Sequence, residues 1–404
     1  MTFVDIPREP LRVLSLAGSE WLDADRPRKD LVSPWTGAVV GSVPMSSAAD
    51  VGVVVARARD AAETWRRVPL KERTQILFRY RELILRDLDA MANRCALESG
   101  KTVAEGRAGI LKGVEVIEFA LSLQNLDDGA MLEVSRGVTC EVRREPLGVV
   151  AGITPFNFPA MVPMWLYPIA ITVGNAFVWK PSEKVPGASM ALARLALEAG
   201  FPPGVFSIVH GGRETTEALV DHPDVAAIGF VGSTPVARAL YARAAGLGKR
   251  ALCLGGAKNV LIVVPDADPA VTVPGVVASF TGCAGQRCMA SSLMVAVGES
   301  DELVRRIAET AAAMQLGRDM GAIVDADALE RLRRDVGRGA TDGAKLALDG
   351  RAVPPPAGYE RGNWLAPTVL DHAPNGSECT TKELFGPILT IVRVRTLDDA
   401  LEIE

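Results

Sequence analysis

Residues 149–159 read Val-Val-Ala-Gly-Ile-Thr-Pro-Phe-Asn-Phe-Pro. Five small or apolar residues make a buried strand, and Pro155 and Pro159 stop the run, so a loop follows the strand's C-terminal end. The same rhythm repeats downstream. Strands are expected over 149–153, 176–179, 206–209 and 226–230, with helices over 161–173, 188–199, 215–221 and 235–245. Alternation at that spacing predicts an α/β fold built on a doubly wound parallel sheet of the nucleotide-binding kind. The Gly-x-Gly-x-x-Gly fingerprint is absent, so the reading does not rest on it.

Upstream, residues 1–45 are rich in Pro and Gly and predict short strands and turns over a larger body. Helical spacing of apolar residues predicts helices over 51–65, capped by Ser46-Ser47, then 71–98, stopped by Gly100, then 104–123. Residues 131–146 alternate apolar and polar around Gly137, a hairpin whose edge is open to another subunit. Downstream, a second α/β unit has strands over 260–264 and 388–394, helices over 300–314 and 326–337, and a helix starting at Leu397. The pattern changes thus divide the chain into 1–130, the hairpin 131–146, 147–254 and 255–404.

The 404 residues are 48% hydrophobic with a net charge of −5 and no basic block, which argues against a nucleic-acid surface. The N-terminus shows no signal-peptide pattern. The most apolar stretch, 158–178, carries Pro159, Pro163 and Pro168 and reads as buried helix and strand, not a membrane span. Six scattered cysteines and three histidines form neither a disulfide ladder nor a zinc pattern, which predicts a reducing cytoplasm and no structural metal.

The chemistry-bearing types cluster in a few loops. Gly285-Gln-Arg-Cys-Met-Ala-Ser291 places the Cys288 thiol on a turn between apolar runs, open to a substrate and near backbone N–H groups, although a small core residue is the plainer reading. Asn157 offers an amide to a developing oxyanion, or simply caps a turn. In Trp179-Lys-Pro-Ser-Glu-Lys184, Lys180 and Glu183 can grip a ribose or form an exposed turn. Phe230-Val-Gly-Ser-Thr234 leads into a helix N-terminus, where Ser233 meets a phosphate or serves as an N-cap.

Pro155-Phe-Asn-Phe-Pro159, Trp179-Lys-Pro-Ser-Glu183, Phe230-Val-Gly-Ser-Thr234, Gly256-Ala-Lys-Asn259, Gly285-Gln-Arg-Cys288 and Glu383-Leu-Phe-Gly-Pro387 follow one another as in the aldehyde dehydrogenase superfamily. Across nearly its whole length the chain resembles that superfamily, and within it the CoA-acylating methylmalonate-semialdehyde branch. The resemblance implies two Rossmann-like domains, 1–130 with 147–254 binding NAD and 255–404 catalytic, plus an oligomerisation hairpin over 131–146. It implies Cys288 as nucleophile and Asn157 as oxyanion donor. NAD would meet Thr154 and Phe156 at the nicotinamide, Lys180, Glu183 and Lys184 at the adenosine ribose, Gly232 and Ser233 at the pyrophosphate, and Glu383 at the nicotinamide ribose.

Hydrolytic members carry a glutamate where Leu254 stands. Leucine takes no proton, so coenzyme A rather than water is expected to resolve the acyl enzyme. A semialdehyde carboxylate needs a cation, for which Arg287 comes first, then Arg107 and Lys112. The implied activity is NAD-dependent oxidation of methylmalonate or malonate semialdehyde to propionyl-CoA or acetyl-CoA with decarboxylation. Relatives continue past Glu404 with a strand that pairs with a partner's hairpin, so the resemblance implies a homo-oligomer whose pairing strand this chain lacks. An inactive truncated paralogue or fragment, and a hydrolytic enzyme giving a free acid, are the alternative readings.

Overall fold

The computed structural model of the protein describes residues 3–23 and 26–404. In the larger sheet, five strands run parallel in the order Arg250–Leu254, Val225–Val231, Val149–Ile153, Ala176–Lys180, Phe206–Ile208. Ser15–Ala17 and Glu20–Leu22 extend this sheet antiparallel, so part of the N-terminal segment belongs to it instead of only covering it. The order reverses beside Val149–Ile153, because the next two parallel strands in sequence lie on one side and the last two on the other. In an open α/β sheet the ligand crevice lies at such a reversal, at the strands' C-terminal ends. Here those ends lead into Thr154 and Gly232.

Both faces of the sheet are covered, as continuous apolar strands require. On one face Leu77, Tyr80, Ile110 and Tyr167 pack with Phe177, Trp179 and Phe206, all at most 2% exposed. On the other, Val51, Val54, Val55 and Leu219 pack on Ala151, Val178 and Ile228. Gly152 is needed between the layers, because a Cβ there would lie 2.3 Å from the Phe177 ring.

Two expected helices are broken. The stretch 71–98 forms Leu70–Arg86 and Leu88–Ser99, separated by Asp87 at φ −99°, ψ 14°. The bend lets the second helix pack along Val103–Ser122. The stretch 161–173 forms Met161–Met164 and Tyr167–Thr172; Pro168 has no N–H to donate and disfavours helix before it. Gly100 stops its helix as expected, in the left-handed region at φ 84°.

The second sheet runs Val260–Val263, Leu293–Val297, Ile388–Val394, Thr368–Asp371 in parallel, with Lys345–Leu348 added antiparallel. Ala130–Ser135 and Val138–Val142 form a separate two-stranded ribbon whose residues are all exposed, Met131 by 74% and Leu132 by 66%. Among the described residues no helix is long and apolar enough to cross a membrane, and no group of three or more metal-ligating side chains occurs.

His210 follows the Phe206–Ile208 strand and is fully buried; its ring nitrogens make no well-formed hydrogen bond among the described residues, with only a weak approach to the Leu14 backbone. Burial, helped by the Lys180 and Arg28 cations, pushes its pKa down to about 3. The unfolded chain therefore binds a proton near the ordinary histidine value that the folded chain refuses. Stability from this site is complete above about pH 6.5 and is lost as pH falls towards 3, by on the order of a few kcal/mol. Urea unfolding of His210→Leu, measured between those pH values, is expected to lose most of this slope. An unchanged slope would exclude His210 as its source.

Candidate active site

Helix Pro269–Thr281 delivers the chain to a tight turn, Gly282–Gly285, in which Cys283, Ala284 and Gly285 all have left-handed φ, at 52°, 53° and 69°. Only glycine fits at 285, because a Cβ there would lie 2.0 Å from the Gly386 carbonyl oxygen. Gln286 is buried and fixes the exit of the turn. Its Oε1 accepts from the Val324 N–H at 3.1 Å, and its Nε2 donates to the carbonyls of Cys283 and Ala322 at 3.3 and 3.4 Å. Cys288 comes next, half-buried. Asn259 holds it from beyond, donating from Nδ2 to the Cys288 carbonyl at 2.7 Å and the Ala290 carbonyl at 3.1 Å. The thiol thus sits on a loop pinned on both sides.

The loop after Val149–Ile153 meets this turn directly. Asn157, 5% exposed, donates from Nδ2 to the Gln286 carbonyl at 3.0 Å, two residues before the thiol. An amide N–H₂ has a second hydrogen, which leaves a donor for a ligand atom at the thiol. Phe156 meets the Phe385 ring edge to face, centroids 5.9 Å apart, and Phe385 itself is held at φ 60°. These two rings, with Lys184, Gln286, Asp325 and Arg331, line a cavity of about 360 Å³.

The other expected cofactor residues lie around the strand ends. Thr154 accepts from the Trp179 Nε1–H at 2.8 Å, and Lys180 is 5% exposed with Glu183 3.6 Å away. Burial lowers the Lys180 pKa against the opposing pull of Glu183. Lys184 pairs with Asp325 at 2.5 Å and lies 5.3 Å from the Phe156 centroid. Ser233 occupies the N-cap position of Thr234–Gly246 but makes no side-chain cap bond, so the plain capping reading fails. A Cβ on Gly232 would lie 2.5 Å from the Phe230 ring. Glu383 reaches back to the 255–259 loop, where a Cβ on Gly256 would lie 2.2 Å from its Oε2. Burial pushes its pKa up. Beside it the buried Lys258 ammonium makes no hydrogen bond among the described residues, and burial lowers its pKa to about 8 against the pull of Glu383.

The structure does not bring the three carboxylate candidates together. The Arg287 guanidinium caps the preceding helix Pro269–Thr281, donating from Nη2 to the carbonyls of Ala278 and Ser279 at 2.6 and 2.8 Å. Arg107 is exposed and pairs with Asp89 at 3.1 Å; Lys112 is exposed and pairs with Glu115 at 2.9 Å. Gly109 and Gly113, not these cations, face Phe158 and Met164, while Gly106 of the same helix packs on the Ala92 backbone. Asn259 and Gln286 are contributors that the reading of motifs quoted without a role.

Burial is the largest influence on the Cys288 thiol and raises its pKa, with the nearby Glu383 adding to it. The thiolate is the reactive form, so alkylation by iodoacetamide is expected to rise with pH and reach its midpoint above the ordinary thiol value of about 8.5. Rates of modification at Cys288, followed by peptide mass spectrometry from pH 6 to 10 on the protein without ligands, check this. A midpoint below that value would contradict it.

The sequence profile of the Aldehyde dehydrogenase family matches residues 21–404. An Arabidopsis thaliana mitochondrial methylmalonate-semialdehyde dehydrogenase [acylating] is 41% identical over 98% of this chain and 67% of its own length. Malonate-semialdehyde dehydrogenase 3 of Geobacillus kaustophilus is 42% identical over 96% of this chain and 81% of its own. A methylmalonate-semialdehyde dehydrogenase structure from Oceanimonas doudoroffii superposes with a TM-score of 0.95 at 34% identity, over 97% of this chain and 82% of that one. A Sinorhizobium meliloti protein described as the same enzyme, complexed with NAD, gives 0.96 at 35%, over 98% and 83%. With this profile match and these relatives, the chain belongs to the aldehyde dehydrogenase family.

Proposed function

We propose that the protein oxidises methylmalonate or malonate semialdehyde with NAD and passes the acyl group to coenzyme A, releasing CO₂ and propionyl-CoA or acetyl-CoA. The observation that carries this reading is a half-buried thiol, Cys288, on a loop tied to the Asn157 amide, with no acid at position 254. Leu254 ends the Arg250–Leu254 strand, accepts the Gly232 N–H through its carbonyl and exposes 41% of its surface.

The residues present fit a dinucleotide. The Thr234–Gly246 helix offers an N-terminus whose Ser233 hydroxyl makes no cap bond, and Gly232 keeps the backbone bare beside it, which suits a phosphate. Lys180 and Glu183, at the end of the neighbouring strand, suit a ribose, and Glu383 suits a second one. NAD supplies the acceptor for the hydride that leaves the substrate carbon.

Cys288 as thiolate adds to the aldehyde carbon, and the resulting oxyanion takes hydrogen bonds from the free Asn157 N–H and the Cys288 backbone. Loss of hydride turns the adduct into a thioester on Sγ. The carboxylate β to that thioester leaves as CO₂, and its electron pair forms an enolate that takes up a proton. A thiol then displaces Cys288 as thiolate. Water would need a general base, and leucine offers none. The carboxylate calls for a cation, and Arg287, adjacent in the chain, serves if its helix-capping guanidinium turns towards the substrate. The exposed hairpin, with Met131 and Leu132 outward, is our proposed surface for a second copy of the chain.

NADH formation from malonate semialdehyde, followed at 340 nm with and without coenzyme A, tests the reading. Continuous turnover is expected only with coenzyme A, with acetyl-CoA as product, and Cys288→Ala is expected to abolish it. Equal rates of free-acid formation in both conditions would favour a hydrolytic enzyme. The absence of any turnover would favour an inactive paralogue.

A further inference from the structure

The thiol loop and the Asn157 loop come from different sheets, yet both are held by one short segment, Gly100–Glu105, at the turn between helices Leu88–Ser99 and Val103–Ser122. The Lys101 side chain is 3% exposed; its Nζ donates to the Asn157 carbonyl at 2.6 Å and lies 4.1 Å from the Phe158 centroid. Four residues on, Glu105 divides its carboxylate. Oε2 accepts from the backbone and hydroxyl of Thr102 at 2.9 and 3.0 Å, which closes the capping box of its helix. Oε1 accepts from the Cys283 N–H at 2.5 Å, across 178 residues of sequence. That N–H belongs to the first left-handed residue of the turn leading to Cys288.

The Gly100 carbonyl makes a third contact. It accepts the Ala322 N–H at 2.7 Å, and a Cβ on Gly321 would lie 1.9 Å from it. Ala322 in turn accepts from the buried Gln286. So the backbone that carries the Asn157 amide, the turn entering the thiol loop and, through Ala322, the Gln286 side chain are all referred to six consecutive residues.

We propose that Lys101 and Glu105 are positioning residues for the Cys288 chemistry. Lys101 sets the backbone from which the Asn157 amide is aimed, and Glu105 holds the strained Cys283–Gly285 turn, so together they fix the separation of amide and thiol. A buried ammonium spent on one carbonyl, and a carboxylate shared between a helix cap and a distant loop, are ion-strength hydrogen bonds placed where geometry matters most. The proposal rests on the reading of Cys288 as nucleophile and Asn157 as oxyanion donor.

Lys101→Met, Glu105→Ala and Glu105→Gln provide the test, read by steady-state kinetics, by the pH profile of Cys288 alkylation and by thermal unfolding. Lys101→Met and Glu105→Ala are expected to lower kcat about 10- to 100-fold, as small misplacements of reacting groups do, with KM for NAD changed by less than about twofold. Glu105→Gln keeps an acceptor for the Cys283 N–H and is expected to recover most of the loss. In Glu105→Ala the loosened loop relieves the burial that raises the thiol pKa, so the alkylation midpoint is expected to move down, and in Glu105→Gln to stay. Variants that only melt earlier, with wild-type kcat and alkylation profile, would overturn the proposal. If the wild type turns over no semialdehyde, the assigned activity fails, and the alkylation profiles alone still decide whether Glu105 holds the thiol loop.

Discussion

The close approach of the Gly285 Cα to the Gly386 carbonyl is the constraint on which the site depends. It admits no side chain, and it closes a left-handed run in which two of the three residues, Cys283 and Ala284, are not glycine. Left-handed backbone costs such residues roughly 1–2 kcal/mol each. The run persists because its surroundings over-determine it: Glu105 takes its first N–H, Gln286 ties off its end, and the Gly386 backbone closes over its last residue. Strain held this way fixes Cys288 in direction as well as place.

The larger sheet places the Thr154 and Gly232 loops by topology and the smaller sheet places the thiol by packing. Strand order reverses beside Val149–Ile153, so Thr154 and Gly232 emerge next to one another without any fingerprint motif. On the other side, Phe280 and Val276 sit in the core of the second unit, which anchors the helix leading to the thiol turn. The Phe156–Phe385 contact joins residues of the two loops across the cavity.

Much of this was legible because it rests on local patterns. Val149–Ile153 and Ile388–Val394 are apolar runs of strand length, and the structure has both with those bounds. Gly100 and Gly137 mark chain reversals that only positive φ allows cheaply. The break at Asp87 was hidden because the helical period continues across it, and only packing against Val103–Ser122 requires the bend. The division at Leu166 was legible in principle from Pro168. The long-range bonds from Asn259, Gln286, Lys101 and Glu105 have no local signature, since each partner is a backbone atom far away in sequence, and backbone atoms carry no code. For the same reason Arg287 next to Cys288 in sequence reads as a substrate ligand, while in space its guanidinium closes a helix end.

The pin on the thiol loop is encoded late. During synthesis the Cys288 turn emerges roughly a hundred residues before Gly386, an interval of about 5–20 s at ordinary elongation rates. Throughout it Glu105 is already synthesised, whereas the backbone that closes over Gly285 is not. The carboxylate that takes the Cys283 N–H is therefore available to the nascent thiol turn before the steric contact at Gly285 is.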